Sequence, residues 1–179
     1  MVFFRYIVNI NLLHVNMVKT IVVTLPPHVK KFFQTEYDGY QRKNGMDELH
    51  VDKHSELGKL IHLISRPILH TQKVANKKSP GALSIRYYSH VQSMEVPVDK
   101  LGMLALYMEE IFRRTMVAEV RGGQELVGGD YGPLVTMSLQ RRGIERDVDV
   151  DYQTCRKIYR DHVSKIKRRS SKLFEKSYA

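Results

Sequence analysis

The chain is poor in the residues that most protein chemistry is built on. It has one cysteine, Cys155, in 179 residues. That excludes an intrachain disulfide and any zinc site made from several thiolates, and it fits a reducing interior. Tryptophan is absent and prolines number only six. The first residues, MVFFRYIVNINLLHVNM, form the most apolar run, but Arg5, Asn9, Asn11 and His14 interrupt it. It is shorter than the roughly 20 residues a spanning helix needs. It also lacks a lysine-rich start and a small-residue cleavage site, so it fits a secretory signal poorly. Met17 opens a more conventional start, MVKTIVVTLP, and residues 1–16 read as an upstream extension; the alternative is an arm that packs on the domain. No Walker sequence, dinucleotide fingerprint or nucleophile elbow is present.

Negative charge is also scarce. Lys and Arg total 29 against 19 Asp and Glu, a formal charge of +10. Residues 152–179 hold nine Lys/Arg and two Asp/Glu, which is +7 of that total. A basic balance of this size points to a polyanionic partner: nucleic acid, an acidic protein surface or anionic lipid. The composition is otherwise that of a folded chain, 42% hydrophobic and 27% charged.

The pattern predicts an α+β fold: a small mixed sheet with helices over residues 17–120, then a helical, helix-turn-helix-like C-terminal module over 133–179. Lys19–Leu25 reads as a strand stopped by Pro26-Pro27. A short helix follows, with Val29, Phe32 and Phe33 inward. Residues 38–47 are turn chemistry, with Asn44-Gly45 suited to a hairpin, and ELHV is a short strand. Leu57, Leu60, Ile61 and Ile64 lie at helical spacing up to Pro67. Residues 70–81 read as an exposed loop and Leu83–Val91 as a strand. The longest helix carries Leu101, Leu104, Met108, Ile111 and Phe112, with Asp99 as its expected N-cap. Five glycines in residues 121–132 predict a connector. A phosphate-binding loop would need a preceding strand and a following Lys-Ser/Thr pair. A helix with Pro133 near its start then runs to Gly143, an acidic turn follows, and a last helix begins near Asp151.

At about 100° per residue, that last helix sorts its residues. Cys155, Ile158, Tyr159, His162 and Ile166 fall on one side; Arg156, Lys157, Arg160, Lys167 and Arg168 fall on the other. Lys and Arg contacts to phosphate dominate nonspecific affinity for nucleic acid. In a helix-turn-helix the second helix lies in the major groove, with its early residues at base edges. Gln153, Thr154, Arg156, Lys157 and Arg160 would then read and clamp, with Lys167, Arg168 and Arg169 gripping beyond them. Residues 143–150 are longer than the usual three- to four-residue turn. A solvated charged face is the competing explanation.

Other chemistry is weaker. His50 and His54 have ligand spacing but are expected in different elements, and two histidines fall short of a ligand set. Glu109 and Glu110 do not face each other on a helix. Asp147, Asp149 and Asp151 would serve a metal-dependent nuclease only with further ligands around them. KIKRRSSK also suits a nuclear-localisation address, Ser170 and Ser171 lie in a kinase-like context, and the last helix has few apolar anchors for a membrane surface.

The expectation is therefore a non-enzymatic protein without cofactor or metal, binding double-stranded DNA or another nucleic acid as a homo-oligomer. It suits a cytoplasmic, nucleoid- or virion-associated regulator or accessory factor of a bacterial or phage genome, with no membrane partner. The alternative is a structural or virion assembly protein whose basic tail meets nucleic acid or an acidic neighbour. A metal-dependent nuclease comes third.

Overall fold

A computed structural model describes residues 17–37, 39–43, 46–67, 81–89 and 94–177, with side chains at 17, 43, 46, 170 and 172–177 excepted. The readings of residues 1–16, of the Asn44-Gly45 turn and of the loop at 70–80 lie outside the described residues.

The protein is α+β, with a four-stranded mixed sheet in the order β1-β5-β3-β2. Strand β1 (Met17–Thr24) runs antiparallel to β5 (Ala82–Ser89) along its whole length, with Ile21 opposite Ile85 and Val23 opposite Leu83. Strand β3 (Met46–Val51) lies parallel to β5 on its other side, and β2 (Tyr40–Lys43) forms the antiparallel edge. A two-residue ladder, β4 (Arg66–Pro67) with β6 (Met94–Glu95), stands apart. Strand alternation decides which face is covered. Ile21, Val23, Leu49, Val51, Leu83, Ile85 and Tyr87 are buried, whereas Val18 and Tyr88 are exposed.

Helices α1 (Pro27–Glu36), α2 (Glu56–Ile64) and α3 (Val98–Val127) supply the other half of the core. The expected inward residues Val29, Phe32 and Phe33 are buried, as are Leu57, Ile61 and Ile64. On α3, Leu104, Met108, Ile111, Phe112, Met116, Val117 and Val120 make the apolar stripe. Phe32 meets Phe112 edge-on at 5.6 Å between centroids. Helix α4 (Gly132–Arg141) packs Val135 and Leu139 into the same cluster, and Ile144, Cys155 and Tyr159 extend it to helix α5 (Tyr152–Ser177).

Four local expectations need correction. The segment read as turn contains strand β2 and the start of β3, because pairing with a neighbour outweighs the weak strand preference of Gln41, Arg42 and Lys43. The strand expected at 83–91 begins one residue earlier, at Ala82, and is described as far as Ser89; residues 90–91 lie outside the described residues. Asp99 is not the N-cap of α3; Pro97 holds that position, and Asp99 sits in the first turn, 3.1 Å from Arg66. The Gly-rich connector is shorter than predicted, since α3 continues to Val127 through Gly122 and Gly123. Gly128 ends it at φ 72°, in the left-handed region glycine favours.

Candidate nucleic-acid interface

Helix α5 is positioned by its aspartates. Asp151 caps it: Oδ2 accepts from the Thr154 amide at 2.8 Å and the Thr154 hydroxyl at 2.6 Å, and Oδ1 from the Gln153 amide at 3.3 Å. These bonds to Thr154 hold the Asp151 carboxyl below its ordinary range. Asp147 takes a left-handed backbone, φ 63°, and its Oδ1 accepts the Tyr152 amide at 3.0 Å. Asp149 Oδ2 accepts from Lys31 at 2.5 Å and from the Glu145 amide at 2.7 Å. Burial works to raise the Asp149 carboxyl, but those bonds outweigh it and the pKa falls. All three carboxylates are thus engaged in building the turn. Among the described residues no group of three or more His, Cys, Asp or Glu is arranged to hold a metal ion. His50 instead contacts Glu48 at 2.9 Å, while His54 lies in the turn before α2.

The inner face of α5 is narrow. Cys155 and Tyr159 are buried. Burial pushes the Cys155 thiol up to about 11, the behaviour of a packed hydrophobe rather than a nucleophile. The Tyr159 hydroxyl donates to Gln124 Oε1 at 2.6 Å, tying α5 to the end of α3, and its ring meets that of Tyr131 at a tilt, 5.0 Å between centroids. Ile158 and His162 are half-buried. Ile166, expected inward, is 37% exposed because the helix has outrun the body by then. Every described side chain from Ser164 onward is exposed.

The outer face holds most of the expected residues. Gln153, Thr154, Lys157, Arg160, Lys167, Arg168 and Arg169 are exposed. Arg156 is the exception and corrects the helical-wheel reading. Its guanidinium lies 5.4 Å from the Tyr131 ring centre and 5.9 Å from that of Tyr152, and 3.9 Å from Asp130. Two aromatic faces and a carboxylate turn it toward the body. Thr154 is exposed, yet its hydroxyl proton is committed to Asp151.

Lys157 and Lys165 also line a groove of about 880 Å³ between α3 and α5, where Arg113, Arg114 and Arg121 form the opposite wall. Sequence reasoning missed that wall. Its signal is the seven-residue step from Arg114 to Arg121 on one face of α3. Each of these arginines already holds a carboxylate: Glu109 at 2.5 Å, Glu56 at 2.6 Å and Glu125 at 2.8 Å. Arg160 and Asp161 are 3.8 Å apart and both largely exposed, a pair of little energetic weight. By contrast Lys157, Lys165, Lys167, Arg168 and Arg169 make no ion pair among the described residues. The helix therefore presents cations whose charge is not already neutralised.

Helix α4, residues 142–151 and α5 follow in the order of a helix-turn-helix, with a connection much longer than its tight turn. Among the described residues no helix is long and apolar enough to cross a membrane. Comparison with protein-family models, characterised proteins and solved structures finds no match to this chain.

Proposed function

We propose that the chain is a non-enzymatic DNA-binding protein that grips duplex DNA through the outer face and the exposed end of α5. One observation carries the reading: Lys157, Lys165, Lys167, Arg168 and Arg169 of α5 are exposed and, among the described residues, make no ion pair. Such groups can exchange condensed counterions for direct phosphate contact. Gln153, Thr154, Lys157 and Arg160 would sit nearest the base edges, and Lys167, Arg168 and Arg169 would follow the backbone. Arg156 supports the helix from beneath. A homo-oligomer would pair two such helices, as a regulator or accessory factor in the compartment that holds the genome.

The test is fluorescence anisotropy with a labelled duplex over a salt series. For about four phosphate contacts, the slope of log affinity against log salt is about −3.6, and affinity falls about 150-fold between 50 and 200 mM. The combined Lys167→Glu, Arg168→Glu and Arg169→Glu substitutions should abolish binding while leaving the melting temperature unchanged. Affinity that stays flat with salt would sink the reading.

A further inference from the structure

A second cleft, of about 550 Å³, lies between α2 and the end of β5. Its lining comes from residues 53–65 and 87–89 and includes nothing from α3, α4 or α5. Gly58 and His62 lie four residues apart on one face of α2, and His54, from the turn before the helix, lines the same cleft with Lys59. Among the described residues no carboxylate lines the cleft. The acidic residues of the same stretch are occupied elsewhere. Asp52 accepts the His54 amide at 2.8 Å, and Glu56 is held by Tyr107 and Arg114, each at 2.6 Å.

One hydroxyl beside the cleft, that of Tyr87, is sealed from solvent. Tyr87 is only 5% exposed, and its Oη has no hydrogen-bond partner among the described residues. Ser65 and the Val96 backbone are near it, without hydrogen-bonding geometry. The Ser65 proton is itself given to the Ile61 carbonyl at 2.7 Å. A buried hydroxyl left in this state is costly unless something else satisfies it. Two large side chains on the same cleft, Leu63 at 79% and Tyr88 at 52%, are exposed. The lining thus has two parts, cationic donors and apolar surface, in a volume ordinary for a small-molecule site.

We propose that this cleft binds a nucleotide: a phosphoryl group held by Lys59, His54 and His62, and an aromatic ring set against Leu63 and the tyrosines. The site does not depend on α5 binding DNA. The same chemistry is offered by a free nucleotide and by a phosphorylated strand end.

Titration calorimetry on the full chain tests it, with the four ribonucleoside monophosphates, adenosine and inorganic phosphate as probes. At least one monophosphate should bind, with adenosine and inorganic phosphate each about tenfold weaker or worse, because each lacks one half of the recognition. The exposed pair Lys59→Glu and His62→Glu should weaken binding about tenfold or more. Charge reversal at residues 167–169 should leave it unchanged, which separates this site from α5. A 5′-phosphorylated trinucleotide that binds as tightly as the monophosphate assigns the cleft to strand ends; weaker binding assigns it to free nucleotides. The proposal is overturned if no monophosphate binds at millimolar concentration, if adenosine binds equally well, or if the Lys59/His62 variant binds like the parent.

Discussion

Arg142 is 2% exposed, yet it carries a full charge into the junction of three helices. Its Nη1 donates to Glu119 Oε2 at 2.6 Å and to the Ser138 carbonyl and hydroxyl, both at 2.8 Å. Its Nε lies 2.9 Å from Glu36 Oε1, close enough for ion pairing though poorly aligned for a hydrogen bond. Phe32 lies 5.3 Å from the guanidinium carbon. Burial alone would raise the Glu119 carboxyl, but Ser138 and Arg142 hold it below its ordinary 4.5. Removing one partner of a buried pair strands the other. Arg142→Ala should therefore cost about 2–3 kcal/mol at pH 7; the figure is near the low end because Arg141 still reaches both carboxylates. A depressed carboxyl stabilises the fold above its unfolded pKa, and that contribution is lost as pH falls through its folded pKa. The penalty should thus shrink below about pH 4.5. Urea unfolding at pH 7 and pH 3 checks this, and a cost below about 1 kcal/mol at pH 7 would refute it. Nothing in the string QRRG marks Arg142 as buried. Both arginines read equally well as cations at a helix end.

At the scale of elements, α1, α2 and most of α3 were legible because an apolar stripe at helical period leaves one reading open. The last two turns of α3 were not. Glycine disfavours a helix interior locally, but Val120 is buried and Gln124 is bound by Tyr159, so packing holds the segment helical. Gly122 has nothing within 4 Å of where a Cβ would stand, while Gly123 is crowded by Leu134. Gly122→Ala should therefore stabilise the protein by about 0.5–1 kcal/mol, raising the melting temperature by about 1–4 °C. A lower melting temperature would contradict the assignment. The site divides in the same way. Lys157 and Arg160 follow from helical period, whereas the inward turn of Arg156 depends on Tyr131, twenty-five residues away in sequence. The groove wall on α3 depends on a helix packing that no local pattern announces.

For the whole molecule, the apolar cluster reaches from the sheet to Cys155 and Tyr159 without a break. The C-terminal helices therefore share their stability with the sheet. Cys155, fully buried and with a thiol pushed up to about 11, is a natural reporter. A thiol reagent should label it only as the protein unfolds, with the same denaturant midpoint as the loss of β-sheet signal. Labelling that runs well ahead of that midpoint would show α5 opening on its own.

Helix α5 is anchored at one end only. Its cap, Cys155 and Tyr159 supply the nucleus, the step that makes short helices unfavourable in water. The exposed turns after Val163 then need only propagate, against repulsion among Lys165, Lys167, Arg168 and Arg169. Their helix content is consequently set by the solution around them. In dilute buffer the end should fray, and added salt or a polyanion should lengthen the helix. Circular dichroism at the helical minimum would then report ionic strength as well as folding.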